Sequence, residues 1–140
     1  MSTEQNTAAV RRMIDEAWNG RNLAVVDELV SPDYAGRDPS FPAPIQGPAG
    51  FNQWMSTAHT AFPDFHITID QIVSENDLVA LRMTLTGTNT GSLMGMPPTG
   101  KTIHMTGSAI RRFRDGRMIE GWDNSDSVGM MQQLGLMPGN

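Results

Sequence analysis

The apolar residues of this chain change their spacing once, near Pro63, and this change restricts the folds available to it. Before Pro63 they recur every three or four positions, which is the period of amphipathic helices. After it, Phe65, Ile67 and Ile69 alternate with polar residues, which is the period of strands with one buried face. Helices followed by antiparallel strands are typical of an α+β fold, and the length predicts a single domain over residues 1–140.

The pattern predicts three helices, then four strands, then a short helix. Prolines, glycines and capping residues mark the ends of these elements. The predicted helices are Glu4–Trp18, Leu23–Val30, Pro48–Phe62 and Val128–Leu134. The first predicted strand starts at Phe65 and has a bulge near Gln71. The other three are Val79–Thr86, Thr102–Phe113 and Arg117–Asn124. The polar segment from Ala35 to Gly47 is expected to be a loop.

A hairpin organises the second half of the chain. Asp115-Gly116 lies between two predicted strands, and this dipeptide favours a tight turn because both of its central positions need positive φ. The second strand then carries a carboxylate, Asp123. Asp126 is expected to cap the last helix, and Glu120 to form an ion pair with Arg111 or Arg112 across the strands.

The composition restricts the classes of binding partner that are expected for this chain. The net charge of −5 and the scattered basic residues argue against a nucleic-acid surface. The chain has no cysteine, which excludes disulfides, and no apolar stretch of membrane-spanning length or signal peptide is recognisable, so a cytoplasmic protein without membrane contact is expected. Eleven methionines and three tryptophans suit an apolar ligand pocket, although methionine can equally fill gaps in a core.

The connection from Gly87 to Lys101 is rich in glycine and proline but carries Leu93, Met94 and Met96. Apolar side chains on such a connection need a surface that buries them. The segment is therefore expected to cover a pocket as a lid or to contribute to a subunit interface.

With this connection and the tail in view, the chain resembles the SnoaL-like polyketide (ester) cyclases of the nuclear-transport-factor-2-like superfamily. The most specific matches are Met96-Pro97-Pro98-Thr99 and Gln133-Leu134-Gly135, and the resemblance extends from Val10 to the end of the chain. It implies an α+β cone, in which a curved antiparallel sheet wraps around the N-terminal helices and encloses a pocket. It also implies homo-oligomers, either dimers or tetramers.

The resemblance implies that Asp123 is the acid/base of a cofactor-independent, intramolecular aldol ring closure on a bulky apolar carbonyl compound. The enolate formed there spreads its charge over the substrate's own carbonyls, so neither a metal nor a cofactor is required. An apolar pocket would raise the pKa of the carboxyl group toward neutrality. The predicted pocket residues are Trp18, Tyr34, Gly36, Phe51, Trp54, Met55, His59, Met96, Gly107 and Ala109.

Polar pocket residues of the family correspond to Gly36, Gly107 and Ala109 here, which suggests a wider pocket and another substrate. The family pattern needs Gly107, Ala109 and Asp123 on one side of the sheet. A plain two-residue turn would instead pair Ser108 with Asp123, so a three-residue loop with a bulge is favoured.

Two alternatives stay open. A hydrolase, hydratase or isomerase of the same fold would need a second acid or base facing Asp123, with His59 and Arg37 the first candidates. A non-catalytic small-molecule-binding module would leave Asp123 exposed or salt-bridged, with no enclosed pocket. His66 and His104 are expected to face away from the pocket, and the spacing of the three histidines indicates no metal site.

Overall fold

The computed structural model describes residues 2–138, which form a curved sheet of six strands with helices on its concave side. The helices are α1 (Thr3–Arg12), continued by a π-helical segment (Met13–Asn19), α2 (Leu23–Leu29), α3 (Gly47–Ala61) and α4 (Ser127–Gln133). The strands are β1 (Val30–Arg37), β2 (Ile45–Gln46), β3 (His66–Glu75), β4 (Leu78–Thr88), β5 (Thr102–Arg114) and β6 (Arg117–Ser125). Their order in the sheet is β2-β1-β6-β5-β4-β3.

The predicted α+β fold and the antiparallel meander from β3 to β6 are confirmed. Burial alternates along β5, so that every second residue from Ile103 to Phe113 faces the helices. The expected bulge near Gln71 is present, because the register of β3 against β4 shifts between Ile69 and Gln71. The four predicted helices are also present, and Asp126 caps α4 by accepting a hydrogen bond from the Gly129 N–H at 2.9 Å.

The prediction of a loop from Ala35 to Gly47 was wrong at both ends, because β1 and β2 occupy part of this segment. β1 runs parallel to β6, and its pairing jumps from Val30 to Ala35. Pro32 lies within this jump, where a missing N–H costs no ladder hydrogen bond. The pattern of the segment did not indicate a strand, because its pairing partner lies at the far end of the chain.

The hairpin combines features of both predicted geometries. Asp115 and Gly116 have φ of 52° and 81°, and Arg114 pairs with Arg117, so the turn has two residues and the predicted three-residue loop was wrong. The predicted bulge is present but lies within β6, where the register shifts beside Ile119. This shift places Ala109 opposite Asp123, with both side chains on the buried face.

The connection between β4 and β5 is held by one buried side chain, Asn89. Its amide nitrogen donates to the carbonyl oxygens of Ala61 and Gly91, and its Oδ1 accepts from the N–H and the hydroxyl of Thr99. Asn89 therefore ties the connection to the end of α3. No helix in the described part of the chain is long and apolar enough to span a membrane.

Replacement of Asn89 by Ala is expected to lower the free energy of unfolding by about 2–3 kcal/mol, because it leaves buried carbonyl and N–H groups without partners. Urea denaturation followed by circular dichroism measures the change. The exposed Asn124 provides the matched control, and Asn124→Ala is expected to stay within about 0.5 kcal/mol of the unchanged protein. Equal effects of the two substitutions would contradict this role of Asn89.

Candidate active site

A buried ion pair between Arg111 of β5 and Asp123 of β6 lies at the centre of the concave face. Nη1 of Arg111 is 2.6 Å from Oδ1 of Asp123, and Nη2 is 3.0 Å from Oδ2. The side chains are only 8% and 9% exposed. The register explains the contact, because Arg111 is two residues from Ala109, the residue opposite Asp123, and such diagonal neighbours on one face can meet when one side chain is long.

The environment of the ion pair shifts the pKa of both groups upward. Burial raises the pKa of Asp123, and the charge and hydrogen bonds of Arg111 oppose this rise without cancelling it. Burial lowers the pKa of Arg111, but the neighbouring Asp123 more than compensates, so the guanidinium stays protonated. A carboxyl group with a raised pKa beside a fixed positive charge is a typical arrangement for proton transfer.

Tyr34 lies behind the ion pair, and two glycines make room for it. Its ring is buried, and its hydroxyl has no hydrogen-bond partner among the described residues. A Cβ atom at Gly121 would lie 2.1 Å from this hydroxyl and 2.8 Å from Nη1 of Arg111, while one at Gly36 would lie 2.7 Å from the hydroxyl. Burial raises the pKa of Tyr34, so the phenol stays neutral.

A cavity of about 160 Å³ opens beside the pair and is lined mainly by apolar side chains. The helices, the sheet and both long connections contribute to it. Its walls comprise Ile14, Trp18, Asp38, Ser40, Phe41, Trp54, Thr57, Ala58, Phe62, Phe65, Ile67, Met83, Leu85, Leu93, Met94, Met105, Arg111, Asp123, Ser125, Ser127 and Met130. Leu93 and Met94, from the connection expected to form a lid or a subunit interface, line one side of it.

Three of the predicted site residues, Trp18, Trp54 and Asp123, line this cavity. Phe51 and Ala109 instead border a much smaller enclosed space that Arg111 also lines. The other predicted pocket residues, within the described chain, lie outside the cavity wall: Tyr34, Gly36, Met55, His59, Met96 and Gly107.

The small residues do not widen the cavity as expected, because other side chains fill the space. The Tyr34 ring occupies the space beside Gly36. At Gly107, an added Cβ would lie 3.0 Å from the Ser125 hydroxyl and 3.4 Å from the Leu85 side chain. Gly107 and Ala109 do share the face of Asp123, as the family pattern requires, but they form the floor beneath larger side chains.

The two residues predicted as partners of Asp123 do not approach it. Nε2 of His59 lies 2.9 Å from the carbonyl oxygen of Trp18, and burial lowers the pKa of the imidazole. Arg37 is exposed at the end of β1. Glu120 was expected to pair with Arg111 or Arg112. The pair with Arg112 is confirmed, with 3.0 Å between Nε of Arg112 and Oε1 of Glu120. His66 and His104 are exposed, as expected.

Sequence reasoning missed Arg111 as the partner of Asp123, although the sequence contains a signal. On β5 the buried phase runs through Ile103, Met105, Gly107 and Ala109, and Arg111 is the next residue in that phase. A charged residue in the apolar phase of a strand requires a buried partner of opposite charge. The carboxylate of the neighbouring strand in the same phase is Asp123.

A second carboxylate, Asp38, reaches the cavity from the connection after β1. Its Oδ1 accepts hydrogen bonds from the N–H and the hydroxyl of Ser40 at 3.0 and 2.7 Å, and its Oδ2 accepts from the Trp54 indole N–H at 3.2 Å. The Trp54 ring centroid is 5.9 Å from Cζ of Arg111. Trp54 therefore contacts both Asp38 and the guanidinium of the ion pair. No group of three His, Cys, Asp or Glu residues suited to a metal ion occurs within residues 2–138.

Comparison with known proteins identifies the family of this chain. The sequence model of the SnoaL-like polyketide cyclases matches residues 8–134, so the chain belongs to that family. The aklanonic acid methyl ester cyclase AcmA of Streptomyces galilaeus is 28% identical over 133 residues, which cover 94% of this chain and 91% of AcmA. The nogalonic acid methyl ester cyclase of Streptomyces nogalater is 28% identical over 85% of this chain and 90% of its own length.

Solved structures show the same fold. IdmH of Streptomyces antibioticus, provisionally described as a polyketide cyclase, is 34% identical and superposes with a TM-score of 0.82, covering 94% of this chain and 99% of IdmH. AclR of Streptomyces galilaeus, provisionally described as a hydroxylase, is 30% identical with a TM-score of 0.86, covering 99% of this chain and 86% of AclR. Relatives of this fold therefore carry more than one functional description.

Replacement of Arg111 by Gln is expected to raise the pKa of Asp123 further, because it removes the positive charge that opposes the effect of burial. Carboxyl ¹³C NMR of protein labelled at aspartate follows the titration of Asp123 directly. The exposed Arg114, which pairs with Asp33, provides the control, and Arg114→Gln should leave the titration of Asp123 unchanged. A lower pKa of Asp123 in the Arg111→Gln variant would contradict the assigned electrostatics.

Proposed function

We propose that this protein is a cofactor-independent, polyketide cyclase-like enzyme that closes a ring by intramolecular aldol chemistry on an apolar carbonyl compound. One observation carries the proposal: a buried carboxyl group, Asp123, with a raised pKa faces an apolar cavity and is held by both of its oxygens. Membership of the cyclase family supports this reaction class.

The first step would transfer a proton from substrate carbon to Asp123. A carbon flanked by carbonyl groups is acidic enough for a carboxylate base, and the substrate's carbonyls take up the resulting negative charge. Arg111 weakens Asp123 as a base, but its positive charge stays in place when the carboxylate is neutralised. The negative charge thus passes from Asp123 to the enolate while the guanidinium remains close to it, which stabilises the transition state.

In the second step the enolate carbon would attack a carbonyl carbon of the same molecule and form the new C–C bond. The alkoxide that results would take the proton from Asp123, so the carboxylate and its pair with Arg111 are restored. The apolar walls would hold the chain of the substrate folded, which provides a high effective concentration of the two reacting ends. Proton and charge balance without any further reactant.

The activity is expected to fall on the acid side as Asp123 becomes protonated and can no longer act as a base. Because the pKa of Asp123 is raised, this loss should begin at a higher pH than an ordinary aspartate would cause.

A plain binding module is the less favoured alternative. It agrees with the salt bridge of Asp123, but it was expected to lack the cavity beside that residue.

The hydrolase or hydratase alternative would need a second proton-transfer group, and Asp38 rather than His59 or Arg37 is the side chain suited to that role. A homo-oligomer and a cytoplasmic location stay predictions from the resemblance and the composition.

Replacement of Asp123 by Asn is expected to lower the rate of proton abstraction by about 10²–10⁴-fold, because the amide cannot accept the proton. Deuterium exchange at the acidic carbon of an aryl β-keto ester in D₂O, followed by ¹H NMR, measures this step. Asp126→Asn is the matched control, since Asp126 caps α4 outside the cavity and asparagine also caps helices.

The Asp123→Asn variant leaves Arg111 buried without a counter-charge, which endangers folding. The double variant Arg111→Gln, Asp123→Asn removes both charges and keeps polar side chains of similar size. Exchange as fast as in the unchanged protein, from either variant in its folded form by circular dichroism, would refute the role of Asp123.

A further inference from the structure

The charges that line the cavity do not balance. Arg111, Asp38 and Asp123 are the charged residues in its wall, within the described chain. The bidentate contact with Asp123 pairs the positive charge of Arg111 with that carboxylate. Asp38 forms no ion pair with any described residue. The wall therefore carries one uncompensated negative charge at Asp38.

The carboxylate of Asp38 is fixed by three hydrogen bonds from neutral donors. Ser40 supplies two of them to Oδ1, and the indole N–H of Trp54 supplies one to Oδ2. Neutral donors hold the orientation of a carboxylate without cancelling its charge. Each carboxylate oxygen has two acceptor sites, so Oδ2 retains one site that none of these donors occupies.

We propose that Asp38 determines the charge of the ligand: the cavity accepts neutral carbonyl compounds and rejects compounds that carry a carboxylate. Asp38 is half-buried at the cavity wall, so an anionic ligand beside it would be repelled more strongly than in bulk water. The single positive charge of Arg111 is already matched by Asp123, so it does not compensate both Asp38 and a bound anion. The proposal rests on the cavity assigned above as the ligand site, but not on the aldol step.

The same carboxylate also favours one kind of neutral ligand. A hydroxyl group on the ligand can donate to the open acceptor site of Oδ2, which a carbonyl or ether oxygen cannot do. Asp38 therefore selects in two ways, by repulsion of anions and by attraction of hydrogen-bond donors. Both effects depend on its charge and on the contact with Trp54 that orients it.

Two aromatic probes of the same shape test the selection, namely 2-naphthoate, which is anionic, and 2-acetylnaphthalene, which is a neutral ketone. The measured quantity is the ratio of their dissociation constants, from calorimetry at neutral pH. Asp38→Asn is expected to lower the preference for the ketone about tenfold, mainly through tighter binding of the anion. Asp115→Asn changes the net charge equally at the exposed hairpin tip and should leave the ratio unchanged.

A charge-preserving variant separates the charge from the shape of the connection. Asp38→Glu keeps the negative charge, so it should retain most of the preference for the ketone. An unchanged ratio in Asp38→Asn, or an equal loss in both variants, would overturn the proposal. Failure of both probes to bind the unchanged protein would also overturn it, because the cavity would then not be the ligand site. The deuterium-exchange measurement on the Asp123 variants tests the aldol proposal separately.

Discussion

The ion pair between Arg111 and Asp123 is the interaction on which the interior of this protein depends. Two charges removed from water carry a large desolvation cost, which only close and well-oriented contact offsets. The concave face supplies that contact through a strict arrangement: a bulge beside Ile119 sets the register, and Gly121 leaves space for the guanidinium and for Tyr34. A single added methyl group at Gly121 would collide with both side chains. The backbone around the pair is therefore as constrained as the pair itself.

This constraint changes the meaning of the small residues that distinguish the chain from the family pattern. At Gly36 and Gly107 they do not enlarge the cavity, because Tyr34, Ser125 and Leu85 take up the space. The polar character of the site comes from elsewhere, through Arg111 on β5 and Asp38 on the connection after β1.

Much of the fold could be predicted from the sequence, because the helical and alternating spacings are local signals. The helices, the meander, the position of the hairpin turn and the bulge in β3 all follow from such signals. The residues of the site were harder to predict from the sequence than the fold was. The role of Asp123 depended on family resemblance. Arg111 was named only as one of two possible partners of Glu120, because strand spacing alone does not fix the register of a bulged hairpin. β1 was missed because its partner β6 is distant in the chain, and its own residues include proline and glycine.

The parallel pairing of β1 with β6 has a consequence for the order of folding. Ala35 pairs with Glu120, so a chain segment from the first quarter must find one near the end. Closure of so long a loop is entropically costly. Such contacts therefore form late, after other contacts have brought the two segments together. The meander can assemble first from neighbouring strands, with Arg111 and Asp123 still hydrated at its edge. Docking of β1, which carries Tyr34, would then cover the pair from behind. The ion pair would therefore become buried at the same time as the sheet is completed.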